Sequence, residues 1–374
     1  MRFPEFHGEW CVSTIGEQFD LYSGNTPSRL NKEHFEGNVN WITSGELKEH
    51  YISDTKEKIS EDAATANNLK LLHPGTFVIA IYGLEADGVR GTGSITCKES
   101  TISQACMAFT QKGDVKNEFL YSWYKKHGNI IGIKYAQGTK QQNLSYDILE
   151  KFHIAYPSQD EQDKLIKFIS LLDERIASQS KLIEDLKKLK SAISKKLLCN
   201  DKWTTYKIQD IAEIGRGRVI SSVEIDRQKH PLYPVYSSQT SNDGIMGYLD
   251  SYMFDGEYIT WTTDGANAGT VFYRKGKFNC TNVCGTLKIQ PKFDCYFVSL
   301  VLQQATQKYV SSNLANPKLM NNTMASIKIR MPNIETQKQL SKVFQTLDSC
   351  LLVHQRTCKM YLSEKQYLLC QMFI

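Results

Sequence analysis

Basic side chains set among glycine, amide and aromatic residues are the part of this sequence best suited to bind a ligand. They fall into two groups, one in each half of the chain, in segments whose turn residues predict loops. Lysine and arginine can hold phosphates, and arginine or amide side chains can pair with base edges through two hydrogen bonds. For any single residue, an ordinary solvated surface charge is the competing interpretation. The groups predict contacts with double-stranded DNA by Arg29, Tyr82, Arg90, Lys134, Lys140 and Gln141 in the first half, and by Arg216, Arg218, Asn242, Trp261, Arg274, Lys275, Lys318 and Asn321 in the second.

The motifs that would make the chain an enzyme are missing from the sequence. There is no Walker loop, no GxSxG motif and no HExxH motif. Glu46-Leu47-Lys48 resembles the end of a nuclease motif but lacks a well-placed upstream acid. Cys280 and Cys284 form a lone CxxxC pair, which is too little for a zinc site. We expect a binding protein with no catalytic residues, no metal and no cofactor.

Length and composition favour two globular domains in one chain. The chain has 374 residues, 41% of them hydrophobic and 11% aromatic, which is enough to bury real cores. The formal net charge of +5 permits nucleic-acid binding through local patches but does not demonstrate it. No apolar run approaches the roughly 20 residues of a membrane span, and no secretory leader opens the sequence. We expect a cytoplasmic protein whose ten cysteines are reduced and mostly buried.

The sequence repeats itself at long range. The run that begins at Pro157 and continues to Lys190 aligns without a gap, at an offset of 175 residues, with the run that begins at Pro332 and continues to Lys365. Upstream, Trp10 and Ile15 correspond to Trp203 and Ile208, and the apolar run from Gly75 corresponds to the run from Gly256. A repeat of this length predicts a duplicated architecture in which a domain and a helix occur twice.

Each helical run carries an apolar seam whose spacing alternates between three and four residues, which is typical of a coiled coil. Polar residues interrupt both seams at matching places, Gln179 and Lys190 in the first, His354 and Lys365 in the second. The lysines of 187–196 fit a solvated coiled-coil face, with phosphate or partner contact as the alternative. Because each seam needs a partner, we expect the two helices to pair with each other. The seam residues are Ile169, Leu172, Ile176, Ile183, Leu186, Ile193 and Leu197 in the first helix, and Leu347, Leu351, Tyr361 and Leu368 in the second.

These patterns predict an α+β fold with two related globular domains. We place the domains at 1–157 and 200–332 and the long helices at 158–199 and 333–374. A globular domain separates the helices, so an antiparallel coiled coil with an internal pseudo-two-fold axis is the economical pairing. Ser158 and Glu161 predict a capping box at the first helix. Asn333 predicts a cap at the second, where Thr336 replaces the glutamate.

Taken together, these features resemble the specificity (S, or HsdS) subunit of type I restriction-modification systems. The resemblance rests on Pro157, Glu161-Gln162 and Leu172-Asp173 before a lysine-rich helix, a succession that recurs from Pro332, and on Gly24-Asn25-Thr26-Pro27-Ser28 near the start. It implies that each domain reads one half of a bipartite target and that the helices set the gap between the halves. It also implies two methyltransferase subunits and restriction subunits as partners, which carry out methylation, ATP hydrolysis and cleavage.

Two other functions stay open on the sequence. One is a repeat scaffold that binds no DNA and docks other proteins through its helices. The other is an independent enzyme, which activity of the purified chain alone would reveal.

Overall fold

The computed structural model describes residues 2–86, 88–138, 142–198, 200–311 and 316–373. The chain divides into two compact units. Unit 1 combines Met1–Gln179 with the last segment, Thr357–Ile374, and unit 2 is Ser180–Arg356. Each unit therefore contains one globular domain and one segment from each of the two long helices.

The first domain consists of short strands and helices and is followed by the first long helix, which continues into unit 2. Local signals explain several of its element boundaries. Thr14 and Glu17 form a capping box at the first helix, and the Ser60 hydroxyl accepts a hydrogen bond from Ala63 N. The elements are β1 Cys11–Thr14, α1 Ile15–Gln18, β2 Phe19–Ser23, β3 Val39–Ile42, β4 Tyr51–Ile52, β5 Lys58–Ile59, α2 Glu61–Ala66, β6 Phe77–Ala80, β7 Gly93–Thr96, β8 Ser100–Ile102, β9 Cys106–Gln111, α3 Asn117–Tyr135, α4 Tyr146–Glu150, β10 His153–Tyr156 and α5 Gln159–Leu197, with short 3-10 helices at Lys32–Phe35 and Ser44–Glu46.

Unit 2 repeats this plan with longer strands. Asp294 caps its main helix by accepting a hydrogen bond from Phe297 N at 2.8 Å. The elements are β11 Thr204–Lys207, α6 Ile208–Ile211, β12 Ala212–Arg216, α7 Ser222–Asp226, β13 Tyr233–Tyr236, β14 Ile245–Leu249, β15 Phe254–Thr262, β16 Val271–Cys280, β17 Cys284–Ile289, α8 Cys295–Ala305, α9 Asn321–Ser326, β18 Lys328–Met331 and α10 Ile334–Met372, with short 3-10 helices at Ser241–Gly244 and Thr306–Tyr309.

The first four strands of the main sheet have the same order in both units. Unit 1 has the order β2-β9-β6-β7-β4, and unit 2 has the order β12-β17-β15-β16-β13-β14. In each, four antiparallel strands are followed by one strand that pairs in parallel, β4 with β7 and β13 with β16. A separate two-stranded sheet, β1-β10 or β11-β18, joins the start of each domain to the strand before its long helix. Unit 1 has a further sheet of order β5-β3-β8.

Within each unit, the two helix segments pair through an aspartate and a lysine. In unit 1, Asp173 accepts a hydrogen bond from Lys365 Nζ at 2.5 Å. In unit 2, Asp348 accepts one from Lys190. The offset of 175 residues relates the two aspartates and the two lysines, so each unit contains the same contact with the helices exchanged. We call these contacts the unit 1 clasp and the unit 2 clasp.

Contacts at the helix ends fix the direction of pairing. In unit 1, Gln162 near the start of α5 binds the backbone of Lys116, and the last turn of α10 reaches the same region, where the rings of Phe373 and Phe119 lie 5.1 Å apart. The unit 1 clasp lies further from these ends on both helices. The two segments are therefore antiparallel.

The seam residues lie where the spacing predicts them, with one exception. The ten seam residues other than Leu197 are all buried or half-buried, among them Ile169 and Leu368. The prediction for Leu197 is wrong, since this side chain is 37% exposed while Leu198 is 5% exposed. The reason is that α5 ends at Leu197, so Leu198 no longer follows the helical spacing and turns into the core of unit 2.

One glutamine in each repeat fastens the long helix to its domain. Gln162 is fully buried, and its amide oxygen accepts a hydrogen bond from Lys116 N at 3.0 Å. Its amide nitrogen donates to Asp114 O at 3.1 Å and to Pro157 O at 3.0 Å. Gln337 does the same in unit 2, accepting from Asp294 N and donating to Pro332 O. The proline–glutamine spacing that repeats in the sequence is thus a joint between helix and domain.

Candidate nucleic-acid interface

Five segments of unit 2 come together at one end of its sheet. Backbone hydrogen bonds connect them in sequence: Arg218 N donates to Cys280 O, Thr281 N to Tyr236 O, Thr263 N to Val283 O and Leu319 N to Thr263 O, over 2.8–3.2 Å. We call this surface the loop end of unit 2, formed by 216–218, 237–244, 262–270, 281–283 and 316–321.

Unit 1 builds the corresponding surface from corresponding segments. Asn25 N donates to Ile102 O, Ser103 N to Ile42 O, Ile81 N to Ala105 O and Leu144 N to Ile81 O, over 2.9–3.2 Å. We call this surface the loop end of unit 1, formed by 24–29, 42–47, 81–86, 88–92, 103–105, 137–138 and 142–144. These segments contain the predicted contact residues Arg29, Tyr82 and Arg90 in unit 1, and Arg216, Arg218, Asn242, Lys318 and Asn321 in unit 2.

A glycine allows the first of these connections in each unit. A Cβ on Gly24 would lie 1.9 Å from Ile102 O, and a Cβ on Gly217 would lie 2.1 Å from Cys280 O. Neither distance is possible for a side-chain carbon, so both positions require glycine. The same close approach in both units shows that the loop ends share their backbone design.

At the loop end of unit 1, the predicted contact residues are held by neighbours. Arg29 makes two hydrogen bonds to Glu57, at 2.8 and 2.9 Å, and its guanidinium lies 5.0 Å from the centre of the Phe35 ring. Arg90 Nη2 donates to Gln142 Oε1 at 2.8 Å. Tyr82 is half-buried against the core. These side chains are ordered by protein contacts and retain an exposed or half-exposed surface.

The remaining unit 1 candidates do not join this group. Lys134 lies near the end of α3 and lines a groove with Val12 and His153, outside the segments of the loop end. Lys140 and Gln141 lie outside the described residues.

At the loop end of unit 2, two predictions are corrected by burial. Trp261 is fully buried, and its indole N–H donates to Leu319 O at 2.9 Å. It therefore anchors the segment 316–321 from within the core and offers no face to a ligand. Arg274 is 7% exposed and stacks on the Tyr236 ring at 3.6 Å, so it is a structural residue rather than a direct contact. Burial lowers the pKa of the Arg274 guanidinium and raises that of the Tyr236 hydroxyl.

The other unit 2 candidates are accessible to different degrees. Asn242 is exposed. Arg218 is paired with Glu224, while Arg216 Nη2 lies 3.8 Å from Met320 Sδ. Lys318, 41% exposed, lies 3.7 Å from Asp264, and the amide nitrogen of Asn321 donates to Gly215 O at 3.4 Å. Lys275, 72% exposed, pairs with Glu257 at 3.2 Å on the β15–β16 hairpin and not at the loop end.

Glu46, which in the sequence resembles part of a nuclease motif, lies in a polar turn at the loop end of unit 1. Its carboxylate accepts hydrogen bonds from Thr43 N at 2.9 Å and Lys56 N at 2.7 Å, which shapes the turn Ser44–Glu46 that follows β3. The signal that could have identified it is a threonine three residues before a glutamate, a capping box.

Neither a cluster of metal-ligand side chains nor a membrane-spanning helix is found among the described residues. Among those residues, no group of three or more histidine, cysteine, aspartate or glutamate side chains is arranged to hold a metal ion. Cys280 and Cys284 are buried in a small apolar cluster. Of the nine described cysteines four are buried, Cys106 and Cys295 being the others, so the expectation that most are buried is wrong. No described helix is long and apolar enough to cross a bilayer.

The arrangement defines a class: a duplicated protein with two similar loop-built surfaces and two long helices. A family model for the type I restriction modification DNA specificity domain matches residues 7–188 and 200–359. The chain belongs to the family of type I restriction-modification specificity subunits, whose general role is DNA sequence recognition.

Relatives and solved structures agree with this membership. The specificity subunit of the type I restriction enzyme MpnII of Mycoplasma pneumoniae is 43% identical over 145 residues, which are 38% of this chain and 43% of that protein. A candidate type I specificity subunit of the same organism is 36% identical over 208 residues, 54% of this chain and 77% of the relative. Relatives of this family are specificity subunits, which are non-catalytic.

The fold is also that of solved specificity subunits. The crystal structure of the S subunit of a type I system from M. genitalium superposes with a TM-score of 0.69 at 18% identity and covers 100% of this chain and 99% of that one. A chain from a structural study of complex assembly and conformational transition of the type I system gives a TM-score of 0.60 at 12% identity, with 98% of each chain covered.

Proposed function

We propose that this chain reads a bipartite, asymmetric DNA target and positions methyltransferase and restriction subunits on it. The observation that carries the proposal is the loop end, built twice on the same backbone plan with different side chains. Arg29 and Arg90 belong to one loop end, and Arg216, Arg218 and Asn242 belong to the other. Equivalent backbones that carry different side chains are suited to read two dissimilar half-sites.

The partner subunits follow from the family. Type I specificity subunits are part of a complex, and we infer that two methyltransferase subunits and restriction subunits bind this chain. In this proposal the chain supplies recognition, with residues 1–157 and 200–332 as its target-recognition domains, and the partners supply the chemistry.

The long helices would set the gap between the half-sites. Each has 39 residues, so each is about 60 Å long at roughly 1.5 Å per residue. Half-sites one turn of DNA apart are separated by about 34–36 Å. Helices of this length can span that distance.

The test is to lengthen both helices by one heptad, by duplicating 180–186 and 355–361. These segments lie between the two clasps on each helix, so both clasps are kept. A heptad adds about 10 Å, or roughly three base pairs of spacer. Methylation mapping of cells that express the variant with its methyltransferase should give the same half-sites with a longer spacer.

The matched control changes the same segments without changing their length. Lys181→Ala with Arg356→Ala alters two exposed residues and should leave the spacer as it is. An unchanged spacer in the lengthened protein would refute the ruler, and altered half-sites would show that the helices contribute to base recognition.

The alternative is a scaffold that docks proteins and binds no DNA. Fluorescence anisotropy with duplexes at graded salt, with and without the methyltransferase, separates the two. Binding that becomes sequence-specific when the partner is added supports DNA recognition, whereas no binding under any of these conditions supports the scaffold.

A further inference from the structure

An exposed polar turn at the loop end of unit 2 has an unusual backbone. It joins β13 to β14, and its residues Thr240, Ser241, Asn242 and Asp243 are all exposed. Asn242 has φ 49° and ψ 43°, and Asp243 has φ 54° and ψ 23°. Both are in the left-handed region, which costs about 1–2 kcal/mol for each residue with a side chain, although asparagine and aspartate tolerate it best. We call residues 237–244 the Asn242 turn.

The surrounding protein holds this turn in place. Arg274 Nη2 donates to Asp243 O at 2.7 Å, and Ser237 N donates to Gly244 O at 2.9 Å. The Arg274 guanidinium is fixed in turn by Tyr236 and by Phe272, whose ring centre is 4.4 Å away. The buried guanidinium thus connects a backbone carbonyl of an exposed turn to the core, where its Nε donates to Thr260 Oγ1 at 3.3 Å. Strain that the fold maintains in this way is typical of sites where a side chain must be presented in one orientation.

We propose that the Asn242 turn reads base edges in the half-site bound by unit 2, and that Arg274 is the positioning residue that fixes it. The inference rests on the proposed function and deepens it. The amide of Asn242 offers one donor and one acceptor, the pair that adenine presents in the major groove. The carboxylate of Asp243 accepts a hydrogen bond and fits the amino group of cytosine.

Neighbouring groups suit a DNA contact at this place. Thr281 connects the Asn242 turn to Arg218, because Thr281 N donates to Tyr236 O and Arg218 N donates to the adjacent Cys280 O. The backbone of Arg218 therefore adjoins the turn. Its guanidinium is 46% exposed and pairs with Glu224, so a DNA phosphate would compete with that carboxylate for it. In this arrangement the turn would read the base sequence, and the neighbouring cation would position the DNA backbone.

Unit 1 has a different turn at the equivalent place. After β3, which binds Ser103 N as β13 binds Thr281 N, the chain forms Ser44–Glu46. This turn is shaped by its own glutamate and carries no asparagine. The two units therefore present different hydrogen-bonding groups from one backbone position, as recognition of dissimilar half-sites requires.

Asn242→Gly gives a sharp test, because glycine adopts the left-handed conformation without strain. The substitution removes the side chain and leaves the turn in place. In the complex with the methyltransferase, methylation mapping should show one position of one half-site become degenerate, with discrimination against other bases reduced about 5- to 150-fold. Asn68→Gly is the matched control, since Asn68 is exposed in unit 1 with φ 50°, and it should leave both half-sites unchanged.

Variants of Arg274 are tested by asking which base position of the half-site they change. Arg274→Met should relax the same base position as Asn242→Gly, and Arg274→Lys should restore part of the discrimination, because a lysine can stack on Tyr236 and donate one hydrogen bond. A wild-type motif in Asn242→Gly, or loss of the whole half-site in that variant, would overturn the assignment. If the wild-type complex itself methylates no defined sequence, the proposed function fails instead, so the two failures can be told apart.

Discussion

Unit 1 and unit 2 attach their domains to the helices by the same joint but reinforce it differently. Both use a buried glutamine and an aspartate–lysine clasp. Unit 1 adds Arg2, which donates two hydrogen bonds to Glu161, a side chain that is 1% exposed. Unit 2 has Thr336 at that position, with its backbone N–H bound to Asn333 Oδ1 at 3.0 Å. The cap predicted for Asn333 is confirmed. In unit 1, Glu161 is the residue predicted to form a capping box with Ser158, and both of its carboxylate oxygens accept hydrogen bonds from Arg2.

The surroundings of the clasps differ as well. In unit 1, His50 is stacked between Tyr51 and Tyr121, with Nε2 2.8 Å from Glu118 and Nδ1 3.8 Å from Asp173. In unit 2, the Tyr296 hydroxyl donates to Asp348 at 2.5 Å. A titratable cation therefore stands in unit 1 where a neutral phenol stands in unit 2. The comparison teaches that duplication preserved the joint and left its charge environment free to change.

The largest expected difference between the units concerns the glutamine joint. Gln162→Ala removes three hydrogen bonds to buried or part-buried backbone groups and Gln337→Ala removes two, so we expect losses of about 3 and about 2 kcal/mol in local stability. Hydrogen exchange of peptides from α3 and α8 measures each unit separately. Gln355→Ala, an exposed position on α10, should change either value by less than about 0.5 kcal/mol. Equal losses in both units would mean that the third hydrogen bond contributes nothing.

A smaller difference is expected at the clasps. Asp173→Asn leaves the half-buried Lys365 without a carboxylate and leaves His50 with Glu118 alone, and should cost about 2 kcal/mol. Asp348→Asn leaves only Lys190, and its amide can still accept from Tyr296, so about 1 kcal/mol is expected. Exchange of peptides from α5 and α10 reports the loss in each unit. A larger effect for Asp348→Asn would reverse the comparison.

The smallest expected effect is a pH dependence confined to unit 1. Burial disfavours the charged form of His50, but the carboxylates of Asp173, at 3.8 Å, and Glu118, at 2.8 Å, outweigh it and raise its pKa above the usual 6.5. The stability gained from the charged form is fully present below about pH 6.5 and is lost as pH rises through the higher folded value. The difference in hydrogen-exchange protection of unit 1 between wild type and His50→Gln, here called the gap, should therefore be larger at pH 6 than at pH 8.5.

His230→Gln serves as the control for this prediction, because His230 is exposed in unit 2. It should show no gap at either pH. A gap for His50→Gln that stays constant over the range would mean that the imidazole contributes by stacking on Tyr51 and Tyr121 alone.

The sequence by itself determined the repeat, the two long helices and the residue types of the joint. The helices expected at 158–199 and 333–374 occur at Gln159–Leu197 and Ile334–Met372, because a helix depends on local hydrogen bonds and on a short period of apolar residues. The apolar seam of each helix could be predicted for the same reason. A fixed spacing between proline and glutamine also marked the joint, although not the atoms it connects.

Only the tertiary structure decided which polar and aromatic residues face a ligand. Trp261 and Arg274 have the residue types of a DNA contact, yet long-range packing buries both, and Arg2 meets Glu161 across 159 residues of sequence. Exposure depends on which distant segments cover a side chain, and that information is not contained in its neighbours along the chain. The Asn242 turn is defined in the same way, because its left-handed backbone is maintained by Arg274, a residue on another strand.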